Sequence, residues 1–286
     1  MEDKDKLPIP NYQFPIDQKR IKKSLGRLTY YFRIWFFMSR NSFLMVLSQR
    51  SVILIFLAGK ILRFLLFVSF LFFLVTGANN LAGYNSTQAI FFFLTFMIID
   101  TTAQFFFREV YRFRNYVVSG DFDLMLVKPM SALFRVLMGG ADVIDLITLP
   151  PIYLATVYVG SLLAPSVGQV LIYILLIITG MLITTAFHII VISFGIITLE
   201  VDHTIMIYRD VSAMGRMPTD IYKEPLKGIL TYFIPVAIMM SLPAKAFLGL
   251  ASKVAIFSAL GISIIFIFIS LRFWNFALKK YTSASS

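Results

Sequence analysis

Long apolar segments separated by short polar connections make up most of the chain after residue 53. A helix needs about 20 mostly apolar residues to cross a bilayer. On this basis the pattern predicts six spans, at 54–76, 88–107, 143–162, 167–192, 228–242 and 255–274. The fifth is short and contains Pro235. After it we expect 244–251 to form a short helix that dips back into the membrane, although an ordinary kinked span fits the same residues. The sequence therefore predicts an all-α polytopic membrane protein with six transmembrane helices.

The first 50 residues differ from the rest. Residues 1–23 are polar and contain prolines but no apolar stretch of a secretory signal, so we expect the chain to start in the cytosol. Residues 25–49 mix Trp35 and other aromatic side chains with Arg27, Arg33 and Arg40. This predicts an N-terminal amphipathic helix in the membrane interface, with a frayed cytosolic helix as the alternative. We divide the chain into 1–50, tail and interfacial helix, and 51–286, the transmembrane domain.

Basic residues predict the orientation of the spans. On this map Lys245 and Lys253 lie on one side of the membrane. The other Lys and Arg residues lie in the N-terminal region, at the base of the first span, in the connections 108–136 and 209–227, or near the C-terminus. Positive charge close to the membrane marks the cytoplasmic face. Both termini are thus predicted to be cytosolic in a multi-pass protein of the cell membrane. Lys60 and Arg63 would snorkel to the inner lipid headgroups.

Composition supports a membrane environment and excludes several kinds of chemistry. Apolar residues make up 58% of the chain and charged residues 14%, against about 45–50% and about 25% in soluble domains. The chain has no cysteine, which excludes disulfides, thiolate ligands and Cys nucleophiles. The net charge of +11 is explained by orientation and by attraction to anionic membrane lipids, so no nucleic-acid partner is predicted.

No catalytic or cofactor motif is present in the sequence. The phosphate-binding pattern G-x-x-x-x-G-K-[ST] is missing, so any ATP chemistry has to come from another chain. His188 and His203 fit no common metal motif. A membrane-embedded enzyme would need clustered His, Asp and Ser residues or paired carboxylates at catalytic spacing, and none occurs. We therefore predict no catalytic, cofactor-binding or metal-ligating residue in this chain.

Ionisable and helix-breaking residues within the spans are the other candidates for function. Asp100 and His188 are predicted to lie deep in the membrane, and together with Pro235 they are possible pathway or structural residues. Asp142 and Asp145 share a face at the start of the third span and are expected near the inner surface. For most of these carboxylates we expect structural pairing with Arg108, Arg112 or Arg135.

The connection between the second and third spans contains the least ordinary stretch. It reads Ser119-Gly120-Asp121-Phe122-Asp123-Leu124-Met125-Leu126-Val127-Lys128-Pro129. Asp121 or Ser119 can cap a short helix over 122–127, and Pro129 prevents its continuation. The pattern predicts a short, stiff cytosolic helix that could transmit force from a moving soluble partner. A surface helix parallel to the membrane would have the same pattern.

This stretch resembles the G-x-x-D-x-L-L-x-[KR]-P signature of ABC-2-type permeases, and more narrowly that of their six-span DUF990 subfamily. Two further regions are similar to that subfamily. One is 215–222 with the following 232–237 and 242–244. The other is the C-terminal end, 273–286, with its Lys280-Tyr281-Thr282-Ser283-Ala284 tail. The resemblance extends over most of the chain from about Tyr30.

The resemblance implies the permease subunit of an ABC exporter. Two permease subunits, copies or paralogues, would pair above a dimer of cytosolic ABC-type ATPases that bind ATP and Mg²⁺. The coupling helix docked on the ATPase would comprise Ser119, Gly120, Asp121, Phe122, Asp123, Leu124, Leu126, Lys128 and Pro129. A hydrophobic or amphiphilic cargo would leave along the permease interface. An ion-coupled secondary transporter or channel, using a deep Asp100, is the alternative hypothesis.

Overall fold

The computed structural model describes residues 26–78, 80–198 and 201–282. Its helices are α1 (Arg27–Leu47), α2 (Arg50–Ala78), α3 (Ser86–Phe107), α4 (Phe113–Ser119), α5 (Asp121–Leu126), α6 (Ala132–Leu137), α7 (Val143–Leu162), α8 (Val167–Thr198), α9 (Val201–Ala213), α10 (Leu226–Phe233), α11 (Ala237–Phe247) and α12 (Lys253–Lys280). Within these ranges strand-like pairing is limited to one isolated bridge between Leu81 and Tyr84. The predicted all-α polytopic fold is therefore confirmed, and the predicted tail before residue 26 lies outside the described residues.

Five of the described helices, α2, α3, α7, α8 and α12, are long and apolar enough to cross a membrane. They correspond to the predicted first, second, third, fourth and sixth spans. Helix α7 has the predicted boundaries, and the other four extend further at one or both ends. Local signals explain the starts: α3 begins at a capping box between Asn85 and Gln88, and the Asp142 carboxylate caps α7.

The spans run between two ends of the bundle, named here the α5 end and the Tyr84 end. At the α5 end, α4, α5 and α6 pack against the last turns of α8 and α12, where Phe122 contacts Trp274. At the Tyr84 end lie the connection between α2 and α3, which contains Tyr84, and the connection between α7 and α8. The α5 end corresponds to the predicted cytosolic side.

Helices α8 and α12 run in the same direction. Phe187 of α8 packs against Phe266 of α12. Seven residues further along both helices, Phe194 packs against Phe273. After α8 ends at the α5 end, the chain has to return to the Tyr84 end before it can begin α12 in the same direction.

Helix α9 and the turn Met214–Arg216 provide this return. Early in α9, Ile205 belongs to the apolar cluster at the α5 end. Tyr208 then packs against His188 within α8, and Asp220 reaches the hydroxyl of Tyr84 at 2.9 Å. The prediction of a cytosolic connection at 209–227 is therefore wrong. The hydropathy pattern missed α9 because charged residues interrupt it.

Helices α10 and α11 form a hairpin that enters the bundle from the Tyr84 end and returns to it. They are bent by 79° at a break that contains Pro235. Lys227, near the start of the hairpin, lies 3.0 Å from the Asp220 carboxylate, and Lys245, near its end, lies 2.7 Å from it. Because both outer ends of the hairpin meet one side chain, it does not cross the bundle. The predicted fifth span at 228–242 is therefore wrong, and the re-entrant part is the whole of 226–247 instead of 244–251.

The same carboxylate closes the Tyr84 end. The Tyr84 hydroxyl donates to Asp220 Oδ2 at 2.9 Å. Burial, followed by this hydrogen bond, raises the pKa of the Tyr84 phenol above its ordinary value. Asp220 thus joins the α2–α3 connection to both ends of the hairpin, which holds three separate parts of the chain together.

The tip of the hairpin packs on α8 where a glycine leaves room. A Cβ atom on Gly180 would lie 2.6 Å from the Met239 carbonyl oxygen. We expect Gly180→Ala to displace the hairpin and to lower the free energy of unfolding by about 1–3 kcal/mol, measured as a lower Tm in detergent. The matched control is Gly261→Ala on α12, where no atom lies within 4 Å of the added Cβ. It should leave Tm unchanged or raise it. Equal Tm values for both variants would contradict the hairpin position.

The corrected path also moves basic residues from one end to the other. Lys223 and Lys227 join Lys245 and Lys253 at the Tyr84 end. The basic residues of α1, of the segment between α3 and α7, and of the last turns of α12 stay at the α5 end. The α5 end therefore keeps the larger share of positive charge.

Candidate functional site

The predicted coupling stretch forms a tight turn and a short helix at the α5 end. Gly120 has φ 81°, a left-handed conformation that is strained for residues with a Cβ atom, and it separates α4 from α5. The Ser119 hydroxyl accepts from the Asp121 N–H at 3.4 Å and donates to the Asp121 carboxylate at 2.7 Å. Gly120 occupies the N-cap position of α5, and Ser119, the residue before it, is the predicted capping residue that accepts a hydrogen bond from a backbone N–H. Helix α5 ends at Leu126, shortly before Pro129.

Helix α5 and the residue after it carry both buried and exposed apolar side chains. Phe122 and Met125 are 0% and 5% exposed, whereas Leu124, Leu126 and Val127 are 59%, 39% and 79% exposed. We call these three exposed residues the α5 patch. Lys128 and Pro129, which follow it, are also exposed. Of the predicted contact residues, Leu124 and Leu126 are thus accessible, whereas Phe122 is buried and serves as an internal anchor.

The anchor ties α5 to the end of α12. The Phe122 ring lies edge-on to Phe113 at 5.2 Å and to Tyr281 at 5.1 Å between ring centroids, a favourable aromatic geometry. Burial, and secondly the neighbouring Asp123 carboxylate, raises the pKa of Tyr281 to about 12. The described part of the C-terminal motif noticed in the sequence, through Trp274 and Tyr281, therefore lies directly against the coupling stretch.

Helix α1 supports the far side of the stretch. The Tyr30 hydroxyl donates to the Pro129 carbonyl at 3.5 Å, and the Ser131 N–H donates to the Tyr31 hydroxyl at 3.2 Å. The Tyr31 ring also packs against Phe134 at 4.7 Å. The helix predicted to lie in the membrane interface thus contacts the segment after α5, which the sequence pattern did not indicate.

A buried carboxylate joins the segments that surround α5. Glu109, 3% exposed, accepts from Arg135 Nη1 at 2.9 Å and from the Tyr116 hydroxyl at 2.5 Å. Arg112 lies 3.6 Å away. Sequence reasoning missed Glu109; the only signal was its spacing of three residues from Arg112, typical of a pair on one helical face.

The carboxylates at the start of α7 have structural partners. Asp142 lies 3.1 Å from Arg108, as predicted. Asp145 is 1% exposed and pairs with Lys60 of α2 instead of an arginine. The Lys60 ammonium, predicted to snorkel to the lipid headgroups, thus has a buried protein carboxylate as its partner, although its side chain stays 37% exposed.

A cavity of about 310 Å³ lies between α2, α3, α7 and the turn after α9. Asp100 lines it, with its carboxylate accepting from Gln104 Nε2 at 2.8 Å. Lys60, Arg63 and Arg216 line it as well. The prediction placed Arg63 at the lipid headgroups and Arg216 in a cytosolic connection. The structure brings both to the cavity with Asp100.

The other two predicted polar or helix-breaking candidates lie apart from this cavity. His188 is 1% exposed, its Nδ1 atom is 2.8 Å from the Thr184 carbonyl oxygen, and its ring packs between Phe107 and Tyr208. Pro235 lies at the break of the hairpin. His188 is thus enclosed between α3 and α9, and Pro235 marks the bend. The described part of the chain contains no group of three side chains suited to hold a metal ion.

Comparison with known proteins places this architecture in a family. The family described as ABC-2 family transporter protein matches residues 54–285, from α2 to the C-terminal end. No curated protein and no solved structure gives a significant match. Membership implies a membrane transport subunit that works with an ABC-type ATPase and is not itself an enzyme. Since the match covers most of the chain, this protein belongs to the ABC-2 transporter family and is a permease subunit of an ABC transporter.

Proposed function

We propose that this permease belongs to an ATP-driven exporter and that the stretch 119–129 docks on its ATPase. The observation that carries the proposal is the α5 patch, in which Leu124, Leu126 and Val127 expose apolar surface at the α5 end, beyond the spanning helices. Exposing apolar surface to water costs a free energy of about 25 cal/mol per Å². Exposed apolar surface is a feature of protein–protein contact sites, so an apolar groove on the ATPase is a suitable cover.

The attachment of α5 suits it to pass on movement. Phe122 fixes α5 to the end of α12, and Glu109 fixes the neighbouring α4 and α6 segments through Tyr116 and Arg135. A push on the patch would therefore act on packed helices instead of a loose loop. Closure and opening of the ATPase dimer would shift the ends of the spans as rigid elements.

The proposed orientation follows from the charge at the two ends. The α5 end carries more Lys and Arg, which supports a cytosolic α5 end and cytosolic termini in the cell membrane. The ATPase would then be a cytosolic dimer. ATP and Mg²⁺ would be bound by that partner chain and not by the permease.

A second permease subunit, a copy or a paralogue, completes the proposal. Helix α9 crosses the bundle, yet Arg209 and Asp210 in its second half are exposed. Charged side chains within a membrane are costly when they face lipid. A second permease packed on this face would cover them, and a hydrophobic or amphiphilic cargo would move outward along that interface.

The test is a double substitution in the patch. Leu124→Glu with Val127→Glu should leave the permease inserted and folded, because both side chains are exposed. It should abolish co-purification of the ATPase and stimulation of its activity by the permease, since two charges would have to be buried in an apolar groove. The readout is the ATPase-to-permease ratio after affinity purification from the native membrane.

The matched control is Leu250→Glu, which introduces the same charge at a 58% exposed leucine of the Tyr84 end. It should retain the ATPase. Full retention of the ATPase by the patch variant would refute the docking site. If wild-type permease purified alone after gentle solubilisation, the ATP-driven function itself would be abandoned, and ion coupling through Asp100 in the cavity would be tested with Asp100→Asn.

A further inference from the structure

The cavity between α2, α3 and α7 contains charged groups that the docking of an ATPase does not explain. It lies near the middle of α2 and α3 and measures about 310 Å³. Its charged lining consists of Lys60, Arg63, Asp100 and Arg216. Charged side chains in the middle of a membrane are costly without a nearby counter-charge, and they mark binding or transport sites.

The positive charges in the cavity exceed the negative ones. Lys60 is paired with Asp145, and Asp100 accepts a hydrogen bond from Gln104. Among the described residues no carboxylate lies within 4.0 Å of either Arg63 or Arg216. Two guanidinium groups therefore share the cavity with one unpaired carboxylate.

Aromatic contact compensates only one of the two arginines, and only in part. The Arg216 guanidinium lies over the Phe96 ring, 5.6 Å from its centroid. A cation–π contact is worth about 0.5–2 kcal/mol, less than the cost of a charge in the middle of a bilayer, about 2.5–3.5 kcal/mol on the insertion scale. An oxyanion between the two arginines would supply the missing counter-charge.

Much of the uncharged lining of the cavity is apolar. Phe64, Phe67 and Phe93 form one wall, with the Phe67 and Phe93 rings 4.4 Å apart. Arg63 and Phe67 also line a shallow depression on the outer face of α2. Arg63 and Phe67 thus border both the cavity and an apolar surface along which an alkyl chain could lie.

We propose that this cavity binds the oxyanion headgroup of an anionic amphiphile, with Arg63 and Arg216 as its charge partners and the phenylalanine wall against its alkyl part. Guanidinium groups bind phosphate and carboxylate oxygens through paired N–H donors. The binding site stands on the geometry of the cavity. Its identification as the cargo site rests on the proposed exporter function.

Binding is measured on the full-length permease in a neutral maltoside detergent. Dioctanoyl phosphatidic acid is titrated in, the bound molecules are counted by native mass spectrometry, and the affinity is taken from the occupancy. We expect one bound molecule per permease. Arg63→Gln and Arg216→Gln should each weaken binding about tenfold or more, and Arg63→Lys should restore part of it. Dioctanoyl phosphatidylcholine, with the same chains and no net charge, should bind weakly.

The control is Arg272→Gln, which removes an exposed arginine of α12 that contacts Phe268 and does not line the cavity. This variant should bind like the wild type. An equal loss in Arg272→Gln and Arg63→Gln, or no loss in either cavity variant with an unchanged Tm, would overturn the site. If inorganic phosphate bound as tightly as the phosphatidic acid, the ligand would be a free anion and the amphiphile would be rejected.

The same assay separates this inference from the proposed docking. The variant with Leu124→Glu and Val127→Glu should lose the ATPase and still bind phosphatidic acid, since its substitutions lie at the α5 end, away from the cavity. Loss of binding only in Arg63→Gln and Arg216→Gln, with the ATPase retained, supports the cavity as the site. Loss of binding in the patch variant would contradict the independence of the two sites.

Discussion

Replacing Phe122 with alanine is expected to destabilise the protein by about 3–5 kcal/mol, whereas Leu124→Ala should change its stability by less than about 0.5 kcal/mol. Phe122 is fully buried and packs edge-on against Phe113 and Tyr281. Its removal loses apolar burial and leaves a cavity between α5 and α12. Leu124 lies on the opposite face of α5, so its replacement by alanine removes only apolar surface that is already exposed.

The pair separates anchoring from docking. Thermal unfolding in detergent should give a clearly lower Tm for Phe122→Ala and an unchanged Tm for Leu124→Ala. ATPase co-purification should fall in the Leu124 variant although its fold is intact. Similar Tm values for the two variants would mean that α5 is not anchored through Phe122.

Glu109→Gln is expected to lower the free energy of unfolding by about 3 kcal/mol, the lower limit for breaking a buried ion pair. The substitution keeps the size of the side chain and removes its charge. Arg135, only partly exposed, would lose its carboxylate partner, and Tyr116 would lose a charged acceptor. The site has little space to rearrange, because a Cβ atom on Gly139 would already lie 2.6 Å from Glu109 Cγ.

The matched control for this change is Asp121→Asn, which removes the charge of an exposed carboxylate on α5. It should alter stability by less than about 0.5 kcal/mol. Both variants are compared by Tm in the same detergent. If Glu109→Gln unfolded at the same temperature as Asp121→Asn, the buried network would not stabilise the α5 end.

Local patterns were sufficient for most of the spanning helices. An apolar segment long enough to cross a bilayer has few alternatives to a helix in lipid, because a helix satisfies every backbone polar group within itself. Helices α2, α3, α7, α8 and α12 were predictable for this reason. The turn at Gly120 and the end of α5 before Pro129 were also predictable, since both residues restrict the backbone locally.

The functional faces were less accessible to sequence reasoning. Helix α5 is too short for its apolar residues to show which side is buried. Phe122 and Leu124 therefore looked equivalent until Phe113 and Tyr281 were found around one of them. The cavity arginines were missed because Arg63 and Arg216 come from distant parts of the chain and meet only after folding.

The sequence by itself determined that this is a helical membrane protein, where five of its spans lie, and, to within one residue, where the short helix α5 begins and ends. Apolar length and turn residues act locally, which is why they were sufficient. Only the tertiary structure decided that α9 crosses the bundle and that α10 and α11 return to the end they came from. The direction of these segments depends on ion pairs between distant residues. Asp220 holds Lys227 and Lys245 together, and no local pattern distinguishes that hairpin from a kinked span.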